Sequence, residues 1–150
     1  MAVPDDDDLL DALREGAPAA REAQEAMTAA RARAELAMRD VVDRHHLITR
    51  ALAAMVAGSW RGPTGEGLRL VAVDVGALSD DVAGLRVRHR ALLAMETEVV
   101  DDPVLGPIDL PTGGPRGTVE DLDALVADAE RLTTSLRALG ERLTRDPADA

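Results

Sequence analysis

The stretch from Gly58 to Gly67 holds four glycines, a proline and the only tryptophan of the chain, Trp60. Glycine and proline are the strongest local breakers, so this stretch reads as a turn. A long segment with helical apolar spacing lies on each side of it. Two such helices joined by a short turn form an antiparallel helical hairpin. Trp60 then sits at the hairpin tip, where it can cover the end of the helix–helix seam or reach into a groove on a partner.

The first flank runs from about Ala19 to Ala57 without a breaker. Ala20, Ala23, Met27, Ala30, Ala34, Ala37, Val41, Ile48, Ala51 and Met55 follow alternating three- and four-residue steps, with Arg44 at the polar step. That is a heptad stripe. Its first half is mostly alanine, which lets a partner helix come close. Before it, Gly16-Ala17-Pro18 predicts an interruption, with Pro18 in the first turn of the new helix. Residues 1–17 therefore read as a separate acidic segment. Its Asp5–Asp8 run reads either as a helix cap or as a solvated tail.

The second flank repeats the rhythm at Leu68, Val71, Val75, Leu78, Val82, Leu85, Leu92 and Val99, with His89 and Glu96 at two seam positions. Leu68–Val75 is Val-rich and precedes Gly76, so a strand is the rival reading there. It does not alternate cleanly, and helix is preferred. The hairpin spans residues 18–100.

Pro103, Pro107, Pro111 and Pro115, interleaved with four glycines, predict a linker over residues 101–117. Thr118 and Asp121 then have the spacing of a capping box. Leu122, Leu125, Ala129, Leu132, Leu136, Leu139 and Leu143 make an unbroken stripe on a helix over residues 118–146. Either this stripe packs on the hairpin, or a second chain completes it. Leu122, Leu125, Leu132, Leu136 and Leu139 are accordingly candidate interaction residues, with Trp60 and Gly62.

The expected fold class is all-α, an antiparallel hairpin plus a C-terminal helix, bundle or coiled-coil-like. With aromatics at 1% of the chain, its core has to be built from Ala, Leu and Val. The formal net charge of −11 disfavours nucleic acid and anionic membrane surfaces and suits a basic partner. No apolar run reaches the ~18 residues of a membrane span, so no stable membrane insertion is expected. The N-terminus lacks the basic and apolar regions of a Sec signal, leaving a cytoplasmic protein or export by a non-Sec route. Without cysteine there is no disulfide and no thiolate site. The chain also lacks Lys, Asn, Phe and Tyr, whose codons are AT-rich, which implies a GC-rich coding sequence.

Chemistry has little to stand on. His45 and His46 are neighbours, about 100° apart on a helix, and cannot chelate one metal. A site joining His46, His89 and a carboxylate needs a tertiary coincidence. Arg86, Arg88 and Arg90 do not share a helix face. Gly62–Gly67 lacks the Gly-Lys-Ser/Thr ending of a phosphate loop. No catalytic residue, cofactor site or metal site is assigned. A metal-binding or enzymatic bundle centred on His46 and His89 is kept as an alternative.

With Trp60-x-Gly62 between two helical segments, preceded by the small residues Ala57-Gly58-Ser59, the region from about Ala19 to Val100 resembles the WXG family. These are small helical-hairpin proteins exported by type VII (ESX) secretion systems, usually as four-helix dimers. The resemblance implies a non-catalytic interaction protein, a type VII substrate or partner that pairs with itself or with another helical protein. The chain departs from the family in its extra N-terminal segment and its C-terminal extension of about fifty residues. It also has no tyrosine, and so lacks the Tyr-x-x-x-Asp/Glu export signal. The alternative reading is a cytosolic coiled-coil adaptor or structural protein unrelated to secretion.

Overall fold

The computed structural model describes residues 6–57 and 65–145 and is mostly helical. Its elements are α1 (Asp6–Val56), α2 (Glu66–Leu93), β1 (Met95–Asp102), β2 (Gly106–Pro115) and α3 (Val119–Thr144). Three helices form the body, and the two strands form one small antiparallel sheet.

Helix α1 does not break at Gly16-Ala17-Pro18, as the sequence suggested, but continues through Pro18. The residues from Asp6 to Ala26 are all exposed. In this setting the Arg14 carbonyl, which Pro18 leaves without its helical donor, is open to water, and no neighbour obstructs the ring. The penalty remains, about 3 kcal/mol for an interior proline and roughly 1 for Gly16. The acidic residues Asp6, Asp7 and Asp8 lie in the first turn, where they oppose the positive end of the helix dipole.

Helix α2 takes in the Val-rich stretch from Leu68 to Val75, so the strand reading is not realised. Gly65 precedes it with φ 64°, a left-handed conformation that glycine adopts without cost. Ser79 and His45 meet at 2.7 Å, and His89 lies beside Glu35, so α1 and α2 run in opposite directions. Asp74–Arg142 at 2.6 Å and Arg88–Asp128 at 2.5 Å set α3 antiparallel to α2. Arg33–Asp123 at 2.9 Å and the approach of Ile48 to Gly140 set it parallel to α1.

Helix α3 is the central piece. Its whole stripe, Leu122, Leu125, Ala129, Leu132, Leu136, Leu139 and Leu143, is buried. Opposite it lie Ala30, Ala34, Met38, Val41 and Ile48 of α1 and Val71, Val75, Val82 and Leu85 of α2. Small residues on α1 match large ones on α3, which permits close approach without voids. Fully burying each leucine contributes about 1.5–3 kcal/mol. The helix begins with both halves of the capping box, since the Thr118 side chain accepts from the Asp121 N–H and Asp121 accepts from the Thr118 N–H.

The all-α expectation needs one correction, because residues 95–115, read as the end of α2 and a linker, form a β-hairpin. Glu98, Val99 and Val100 pair with Leu110, Asp109 and Ile108. Asp102 accepts the Val104 and Leu105 N–H groups at 2.8 and 2.9 Å, closing the turn, and Gly106 follows with φ 77°. Pro107 and Pro111 are an even number of residues apart, so their missing donors fall on the same side of β2. In a two-stranded sheet that side is the outer edge, where proline is tolerated and where it blunts further pairing.

Candidate interaction surface

The apolar groups that the bundle leaves outside mark the surface that could bind something. Three stretches gather several of them, beside scattered exposed residues such as Leu36, Val73 and Val87 on the helices. The first is the free half of α1, where Leu9, Leu10 and Leu13 are exposed, Leu13 at 69%. The second is the β-hairpin, with Val99, Val104, Leu105 and Leu110 in water, Val104 at 89%. The third is a shallow groove between α1 and α3, lined by Leu47, Ile48, Ala51, Ala54 and Leu143 with Gly140 at its floor. An isolated two-stranded hairpin is marginally stable. This one is tied to the body at its neck, where Arg116 and Gly117 donate to the Ala94 and Leu92 carbonyls at 2.7 and 3.0 Å.

The residues expected to face a partner are distributed differently. Leu122, Leu125, Leu132, Leu136 and Leu139 are buried against α1 and α2 of the same chain. The C-terminal stripe is therefore internal core and is not available to another chain. The reason is geometric: two helices leave a groove on one side, and α3 fills it along its full length. Trp60 and Gly62 lie outside the described residues.

The histidines do not converge. His45 Nε2 meets Ser79 Oγ, whose hydroxyl donates to the Val75 carbonyl at 2.7 Å. His45 therefore acts as donor from Nε2. His46 is exposed. His89 lies ten residues beyond Ser79 along α2, about 15 Å away at the helical rise, among Glu35, Met38, Arg39 and Val42. Its Nε2 is sealed from water with no hydrogen-bond partner among the described residues. Burial pulls its pKa below the ordinary histidine value, and the Glu35 charge partly opposes this. Among the described residues no group of three or more His, Asp or Glu side chains could hold a metal ion. None of the described helices is long and apolar enough to cross a membrane.

The surface charges pair locally. Besides the three inter-helix pairs, Arg131 joins Arg88 on Asp128, and Arg69 clasps Glu66 through two hydrogen bonds. Exposed pairs of this kind contribute at most about 1 kcal/mol each. They fix helix register more than they add stability.

Searches against protein families, curated proteins and solved structures find no match to this chain.

Proposed function

We propose that the protein is a non-catalytic helical interaction protein of WXG-like type, serving as a substrate or partner of a type VII secretion system. The observation that carries the reading is the place of the motif. Trp60-x-Gly62 falls between the end of α1 at Val56 and the start of α2 at Glu66, and these helices run antiparallel. On this reading α1 and α2 are the helical hairpin and α3 is an added C-terminal helix.

The reading needs one adjustment. A simple hairpin pairs through the face between its two helices, and here α3 occupies that face. Association has to use what remains outside, such as the free half of α1, the β-hairpin or the groove between α1 and α3. The acidic surface favours a partner with basic groups.

A second reading, a coiled-coil adaptor unrelated to secretion, is favoured by the exposed half of α1, whose stripe is that of a coiled-coil helix. Export separates the two. In a host with a type VII system, a tagged chain should appear in the culture supernatant, and loss of the system's ATPase should abolish this. Trp60→Ala and Gly62→Ala should reduce export while leaving the circular dichroism spectrum intact. A chain that stays inside the cell with or without the ATPase, alone or with its partner co-expressed, favours the adaptor.

A further inference from the structure

One pocket runs against the charge of the chain. It lies on the seam between α1 and α2, with Glu35, Met38 and Arg39 on one wall and Arg86, His89 and Arg90 on the other, and no residue of α3 lines it. Its volume is about 310 Å³, room for one small polar group. Arg86, Arg88 and Arg90 do not share a helix face, and the packing sorts them. Arg88 turns toward α3 and pairs with Asp128. Arg86 and Arg90, one helical turn apart, line the pocket together with Arg39 of the facing helix.

The chain holds 28 acidic residues against 17 basic ones, so carboxylates are in excess. Arg33, Arg88 and Arg142 each take one from another helix. Arg39, Arg86 and Arg90 take none among the described residues. Arg90 lies in the last turn of α2, where the negative end of the helix favours a cation. Arg39 and Arg86 have no such reason, and like charges gathered on one pocket repel. Glu35 is the one carboxylate in the lining, so three guanidiniums against it leave two positive charges unneutralised. His89, in the same lining, keeps a buried Nε2 with no hydrogen-bond partner among the described residues.

We infer that this pocket binds a phosphate group, free or as a monoester. A phosphate monoester carries about −1.5 to −2 at pH 7, which matches the two unneutralised charges. Guanidinium forks present paired N–H donors to its oxygens, and here they come from two helices. A monocarboxylate leaves one positive charge over. A polyanion such as nucleic acid meets the net charge of −11 on the rest of the chain. A single dianionic group satisfies the pocket without that cost. Export by a type VII system is neither required nor excluded by such a site.

Calorimetric titration of the full chain with inorganic phosphate, at constant ionic strength, should saturate at one phosphate per chain. Arg39→Gln, Arg86→Gln and Arg90→Gln should each weaken binding by roughly 10-fold or more. Arg88→Gln removes the same charge from the other side of α2 and should leave the affinity unchanged. All four side chains are exposed, so the variants should keep the thermal midpoint of the wild type in chloride buffer. A phosphoserine peptide and its serine counterpart then identify the source. If the phosphopeptide binds more tightly than inorganic phosphate and the serine peptide does not bind, the phosphate is carried by a partner protein. The reverse order makes it a free solute, and either order supports the site. No saturable binding by ~10 mM phosphate would overturn the proposal and leave a solvated basic patch. Equal losses in Arg88→Gln and Arg86→Gln would also overturn it, because only long-range charge would then be at work.

Discussion

Gly117 lies directly on Leu92. Its N–H donates to the Leu92 carbonyl at 3.0 Å, and a Cβ built on it would come within 2.8 Å of Leu92 Cδ2 and 2.9 Å of Leu92 Cβ. This is the point where the chain leaves β2, crosses the end of α2 and enters α3.

Gly117→Ala therefore has to push Leu92 aside or break the neck of the hairpin. Overpacking of this kind costs about 1–3 kcal/mol, read as a lower midpoint in denaturant. Gly114→Ala, in open space on the same strand, should change stability by less than about 0.5 kcal/mol. Equal midpoints for the two variants would contradict the close contact.

The capping box at Thr118 should be measurable. Thr118→Ala removes the acceptor for the Asp121 N–H and should cost roughly 1 kcal/mol. The Thr118 backbone N–H, then its hydroxyl, hold the Asp121 carboxyl below the usual aspartate range. A depressed folded value stabilises above the unfolded pKa, about 3.9, and that contribution is lost as pH falls through the folded value. Asp121→Asn should flatten stability between pH 5 and pH 2 relative to wild type.

His89 sets a dependence of the same sign near neutrality. Its folded pKa is depressed by burial, so the unfolded chain binds the proton more readily. Stability is complete above the ordinary histidine range and declines as pH falls through it. Glu35, Arg39, Arg86 and Arg90 are the charged groups around it. His89→Leu removes the unpaired Nε2 and should reduce the fall in thermal midpoint between pH 7.5 and 5.5. An unchanged slope would place that dependence elsewhere.

Leu136 tests whether α3 is core. It is fully buried, and Leu136→Ala should cost about 2–5 kcal/mol, read as a lower midpoint in denaturant. A variant of native stability that fails to associate would return the stripe to an interface role.

The helices and their phase were legible because amphipathic spacing is local. Leu122 through Leu143 and Ala30 through Ile48 are spaced every three or four residues whatever covers them. The cap at Thr118 and the end of α1 at Val56 are also written within a few residues. The β-hairpin was not, because prolines at 103, 107, 111 and 115 read as breakers. The even spacing of Pro107 and Pro111, which keeps both missing donors on one edge of β2, was the available signal. Pro18 misled for a related reason. A proline ends a helix when its neighbours cannot tolerate the lost donor, and in an exposed helix water can take that donor's place.

Sequence by itself determined three amphipathic helices, a small-residue seam on α1 and a core without aromatics, since each depends only on residue type and spacing. Tertiary structure alone decided which stripe was covered and by what. The stripes of α1, α2 and α3 are of one kind, and nothing local distinguishes an internal face from an external one. Chain connectivity brings α3 back parallel to α1 and into the groove between α1 and α2. That burial uses up the C-terminal leucines and ends level with Ala30, so the N-terminal half of α1 is the length of seam left uncovered.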